Sequence, residues 1–187
     1  MLWLVLGVLV WSAFHLLPSA GVSARSRLLN RMGEPAYKGT FALAIVLSVV
    51  LIVIGWRSTT PVWVYAGPAW GRWVTNLGMC AALVLFAASV LPTNLKRVVR
   101  HPQLIGVATW AAAHLLSNGE QRSVILFGGI GLWALLAIAF INRRDGAWEK
   151  PEPQPMTAEL KLAALAIVAF AALFFLHPYF AGMPPAP

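Results

Sequence analysis

The sequence predicts an all-α polytopic membrane bundle of about six transmembrane helices. Three observations carry this. The chain of 187 residues is 59% hydrophobic and only 11% charged. Its mean hydropathy is +0.74. Apolar stretches of about 15 to 20 residues recur along it, close to the length that crosses a hydrocarbon layer of about 30 Å. A soluble core of this chain length has no room for so many apolar side chains.

Six helices are read in order: Leu2–Leu17, Thr40–Trp56, Val74–Leu91, Gln103–Asn118, Ser123–Ile141 and Leu160–His177. The first lacks a basic leader and a following small-residue cleavage site, so it reads as a retained span rather than a signal peptide. Pro18, Pro61, Pro92, Pro102 and Pro178 are expected to punctuate helix ends. A polar, proline-rich connector occupies Glu149–Pro155, and the tail Met183–Pro187 reads as disordered. No internal repeat is evident, and residues 1–187 read as one transmembrane domain.

The formal charge is +8. Eleven of the 14 basic residues fall in the first, third and fifth connections, counting Lys161 at the start of the last helix. That bias puts those connections on the cytoplasmic side of a bacterial inner membrane and both termini outside. The implied partner of these cations is anionic lipid, not nucleic acid, because no lysine-rich tract interleaves with aromatics. The second connection and its edges hold Trp56, Trp63, Tyr65, Trp70 and Trp73, expected to form an interfacial belt or a short surface helix. The single cysteine, Cys80, makes no internal disulfide and is expected to pack as a small apolar residue.

Chemistry concentrates in Arg100–Glu120, the run RHPQLIGVATWAAAHLLSNGE. Ionisable groups in or beside a span are costly and so mark function. Gly106, Trp110, His114 and Asn118 recur at every fourth position and form one ridge. Gly106 admits a flat ligand or a neighbouring helix, and Trp110 offers an aromatic wall. His114 lies about 18 Å into the bilayer at 1.5 Å per residue. His15 lies toward the far end of the first helix. The two imidazoles converge near mid-membrane if the first and fourth spans are neighbours, an arrangement that suits two axial nitrogens on one iron. Arg100 and His101, at the start of the fourth helix, suit an anionic group such as a propionate or phosphate. His177 reads as a helix-end residue, and Asn118-Gly119 as a helix stop with Gly119 at the C-cap. Zinc-protease, nucleotide-loop and nucleophile-elbow motifs are all missing.

The string RHPxxxGxxxWxxxHLxxNGE resembles the signature of the NnrU family, as does Phe14-His15-Leu-Leu-Pro-Ser with the following Arg25, Arg27 and Gly33-Glu34. The resemblance covers nearly the whole chain. It implies a place near denitrification and nitrogen-oxide metabolism. The family is also similar to 15-cis-zeta-carotene isomerase, a membrane haem b protein that isomerises a polyene through redox-dependent histidine ligation. Carried over by motif, the haem ligands fall on His15 and His114. The isomerase has a cysteine directly after the tryptophan, where this chain has Ala111. The resemblance therefore implies haem b and a redox, nitric-oxide-related or polyene-isomerase role on a lipid-soluble substrate. Two alternatives stand beside it. One is a non-enzymatic membrane component of nitrogen-oxide metabolism. The other follows from the RHP element, which resembles isoprenylcysteine carboxyl methyltransferases that use S-adenosylmethionine, although their acidic C-terminal motif has no counterpart here.

Overall fold

The structure is a computed structural model describing residues 1–182 and 185; the tail expected to be disordered falls mostly outside these. Helices α1 (Leu2–Ala20), α2 (Val22–Met32), α3 (Glu34–Ser58), α4 (Gly71–Val90) and α5 (Pro102–Ser117) follow in order. Then come α6 (Gln121–Asp145) and α7 (Met156–Ala181). The described residues contain no β-strand, only an isolated antiparallel bridge between Trp63 and Glu120. The expected all-helical membrane architecture is present. Five of these helices, α1, α3, α4, α6 and α7, are long and apolar enough to span a bilayer.

The chain forms two compact units. One comprises Met1–Tyr65 and Gly119–Gly146, the other Ala66–Asn118 and Ala147–Pro187. In the first, small residues let helices touch backbone to backbone. A Cβ added at Gly55 of α3 would collide with the backbone of Leu4 in α1, and one at Gly7 would lie 2.8 Å from Ser48 O. Further along the same pair, His15 meets Phe41. The rising α1 numbers against falling α3 numbers make the two helices antiparallel. On the other flank of α1, Gly129 of α6 packs against Val8. Trp133 contacts Trp11 and His15, and Arg144 Nη1 donates to Pro18 O at 2.8 Å. Here both numbers rise together, so α1 and α6 run parallel.

In the second unit, α4 and α5 form an antiparallel hairpin. Gly106 faces Ala82 O and the side chains of Leu85 and Phe86, and Gly78 faces Ala113. Thr75 Oγ1 lies 2.7 Å from Ala113 O and 2.7 Å from Ser117 Oγ. The far side of α4 packs Ala87 and Ala88 on Leu162 and Ala166 of α7. The Glu159 carboxylate accepts from Thr93 Oγ1 at 2.8 Å and from Asn94 N at 2.7 Å, tying the 91–97 turn to the start of α7.

The fourth expected span, α5, has only 16 residues, about 24 Å at 1.5 Å per residue. It still retraces α4. Val64 N donates to Gly119 O, and Gln121 N donates to Val62 O, each at 2.8 Å. The chain thus leaves the first unit and re-enters it at one place. A 20-residue α4 that crosses must therefore be followed by an α5 that crosses back. The parallel course of α1 and α6 requires the same parity, which favours six crossings.

Several expectations are corrected. The first connection contains an 11-residue helix, α2. Its Arg25, Arg27 and Arg31 and its Leu28, Leu29 and Met32 give it the sequence of an interfacial helix, which no bilayer-length apolar run can reveal. Gly33, at φ 77°, turns the chain from α2 into α3, a backbone region open mainly to glycine. Consequently α3 starts at Glu34, six residues before the expected Thr40. Pro18 and Pro178 lie inside α1 and α7 rather than at their ends. The loop after α3 has no surface helix, but Trp63, Trp70 and Trp73 stand more than half exposed, as a belt requires. Cys80 is exposed on α4 rather than packed.

Two glycines of α3 should respond in opposite directions. Gly55→Ala should destabilise the detergent-solubilised protein by about 1–3 kcal/mol through overpacking against Leu4. Gly39→Ala meets nothing within 4 Å and should be neutral or stabilising by up to about 1 kcal/mol through helix propensity. Thermal melts of the two variants check the contrast.

Candidate functional site

Each compact unit presents one motif histidine, held in the same way. His15 Nδ1 lies 2.9 Å from Trp11 O. His114 Nδ1 lies 2.9 Å from Trp110 O. A carbonyl only accepts, so each Nδ1 carries the proton and donates it. The neutral ring then has its lone pair on Nε2. This is the tautomer and anchorage that metal-ligating histidines commonly show.

The parallel extends along the chain, and it corrects the expectation of no internal repeat. Gly7-Val8-x2-Trp11-x-Ala13-x-His15-Leu16-Leu17 matches Gly106-Val107-x2-Trp110-x-Ala112-x-His114-Leu115-Leu116 at seven of eleven positions. The signal was in the sequence, but it sits among apolar residues whose similarity is expected in any two spans. Its meaning shows in the structure. In both copies the glycine admits an antiparallel neighbour, α3 at Gly7 and α4 at Gly106. In both, the tryptophan carbonyl one turn back holds the histidine.

The surroundings differ. Trp11 stacks on His15 with ring centroids 4.1 Å apart and planes at 28°. Trp133 meets His15 edge-on at 5.1 Å, and Phe41 does so at 5.6 Å. His15 is therefore walled by aromatics from α1, α3 and α6. Trp11, Phe41 and Trp133 had not been singled out from sequence, because their proximity depends on helix packing. His114 has Trp110 tilted against it at 5.2 Å.

The remaining expected residues fall as follows. Gly106 is buried against α4, so it serves the helix approach. Asn118 Nδ2 donates to His114 O at 2.9 Å and finishes α5. Gly119 is not a left-handed C-cap. It is small because a Cβ there would strike Tyr65 O. His101 is the residue before α5, with Pro102 in the first turn, and Arg100 precedes it. The structure thus gathers Gly106, Trp110, His114 and Asn118 on one helix, Arg100 and His101 at its start, and His15 in the other unit. His177 lies within α7 with its ring 5.3 Å from that of Phe180. Among the described residues, no group of three or more His, Cys, Asp or Glu could hold a metal ion by itself; ligation of a haem asks for only one or two imidazoles.

With this geometry in place, comparison with known proteins adds the lineage. The family model for NnrU protein matches residues 3–185. The chain belongs to the NnrU family. No curated protein and no solved structure matches it.

One further feature of this NnrU chain adjoins the motif. Glu120 is 8% exposed and pairs with Arg122 at 2.7 Å. The Arg122 guanidinium carbon lies 4.4 Å from the centroid of the Trp56 ring. Breaking one partner of such a pair strands a buried charge. Arg122→Met should cost about 3–5 kcal/mol in unfolding free energy, and the double variant Glu120→Gln with Arg122→Met should cost less. Unfolding melts of the three proteins measure the difference.

Proposed function

We propose that this NnrU protein is a membrane haem b protein and that His15 and His114 are the residues that would hold the iron, each through Nε2. The observation that supports the reading is the shared anchorage. Two histidines in matched sequence surroundings each donate Nδ1–H to a backbone carbonyl and so carry the lone pair on Nε2. The donor set fits b-type haem, which takes neutral imidazole nitrogens. Arg100 and His101 supply polar and cationic groups suited to its propionates. Bound haem would supply one-electron chemistry, or nitric oxide binding, to a protein embedded in lipid. The chain's own residues orient the imidazoles: Trp11 by stacking, Trp133 and Phe41 by edge contact, and Trp110 through its carbonyl.

The position that is cysteine in the isomerase holds Ala111, a methyl group at 2% exposure. Redox or nitric-oxide chemistry on a lipid-soluble molecule is therefore preferred to polyene isomerisation. The bacterial inner membrane is the location that fits the charge bias of the connections.

Protein purified in detergent from haem-replete cells should show a Soret band and reduced α and β bands. His15→Ala and His114→Ala should each shift or abolish them, and added imidazole should restore the spectrum in part. A colourless, well-folded preparation would instead support a non-enzymatic component of nitrogen-oxide metabolism.

A further inference from the structure

Four buried side-chain polar atoms make no hydrogen bond among the described residues: Trp11 Nε1, Tyr37 Oη, Trp133 Nε1 and Arg97 Nε. Three of the four belong to one cluster. Trp11 and Trp133 meet at 5.8 Å, and both contact His15. His15 meets Phe41, and Phe41 meets Tyr37 at 6.4 Å. Trp133 is 8% exposed and Tyr37 is 9% exposed. Buried donors are almost always satisfied, and in hydrocarbon an unmade donor has no water to turn to. The two indole donors that flank one half-buried imidazole point to a missing acceptor.

The chemistry of the walls narrows the acceptor. The indole groups are uncharged N–H donors and suit a neutral carbonyl oxygen. The rings of Trp11, Phe41 and Trp133 suit a flat, apolar head. The Arg25 guanidinium lies 5.7 Å from the Tyr37 ring centroid. A ligand with a planar ring, carbonyl oxygens and access through lipid meets these demands. We infer that the two unsatisfied indole donors of the first unit, Trp11 Nε1 and Trp133 Nε1, bind the carbonyl head group of a lipid-soluble quinone. The inference deepens the reading of a lipid-soluble redox substrate and rests on that part of it, not on haem.

The test is equilibrium binding of a benzoquinone with a ten-carbon tail to the full-length protein in detergent. The Soret absorbance of the same preparation is recorded, so that loss of the haem reading and loss of this one are told apart. Decylbenzene, which lacks carbonyls, and decanoate, which offers an anionic head, serve as the other arms. Saturable binding of the quinone alone is expected. Trp133→Phe keeps an aromatic ring but removes the N–H along with the pyrrole half of the indole, and it should weaken binding of the quinone about tenfold. Trp11→Phe should act in the same direction. Non-saturable uptake, equal uptake of decylbenzene, saturable binding of decanoate in place of quinone, or unchanged affinity in Trp133→Phe would each overturn the proposal.

Discussion

Close contact at small residues holds each unit together. In hydrocarbon, apolar side chains gain nothing by leaving lipid for a neighbouring helix, so association depends on dispersion contacts and the occasional hydrogen bond. Both grow steeply as backbones approach. Gly55 lets α3 reach the backbone of Leu4, Gly7 lets α1 reach Ser48, and Gly129 lets α6 reach Val8. The same device recurs in the second unit at Gly78 and Gly106. Thr75 adds a polar link from α4 to the last turn of α5.

Those contacts decide what surrounds each histidine. Trp133 lies one turn beyond Gly129, and Trp11 lies one turn beyond Gly7. Seating the glycines therefore brings both indoles to the level of His15. The matched segment in α5 has the same glycine, tryptophan and histidine, yet its glycine receives α4, and Trp110 lies tilted against His114 rather than stacked on it. One local design thus yields two environments. The first is an aromatic enclosure containing unsatisfied donors. The second is an imidazole on a helix braced by Thr75 and capped by Asn118.

Unsatisfied donors are a departure from the rule that local and global preferences agree, and such departures tend to mark functional positions. Here they coincide with a histidine that the family signature already marks. The Glu120–Arg122 pair contrasts with them. Its Arg122 lies over Trp56 with Nη1 directed at Trp56 O, at the point where the chain re-enters the first unit.

The sequence by itself determined the membrane character, the helical class and the family, and it singled out His15 and His114, whose anchorage the structure shows. Each depends on composition, on runs of bilayer length or on short-range spacing, and a histidine and its carbonyl four residues back share one helical turn. It misplaced what depends on neighbours. Helix α2 is too short and too polar to register as a span, and the glycine at φ 77° that frees it is ordinary in sequence. Gly119 reads as a helix stop but is small because another segment pairs beside it. Only the tertiary structure decided that Phe41 and Trp133, 26 and 118 residues away from His15, share its enclosure. Side-chain neighbours across helices follow from which small residues meet, and that is a property of the packed pair rather than of either helix.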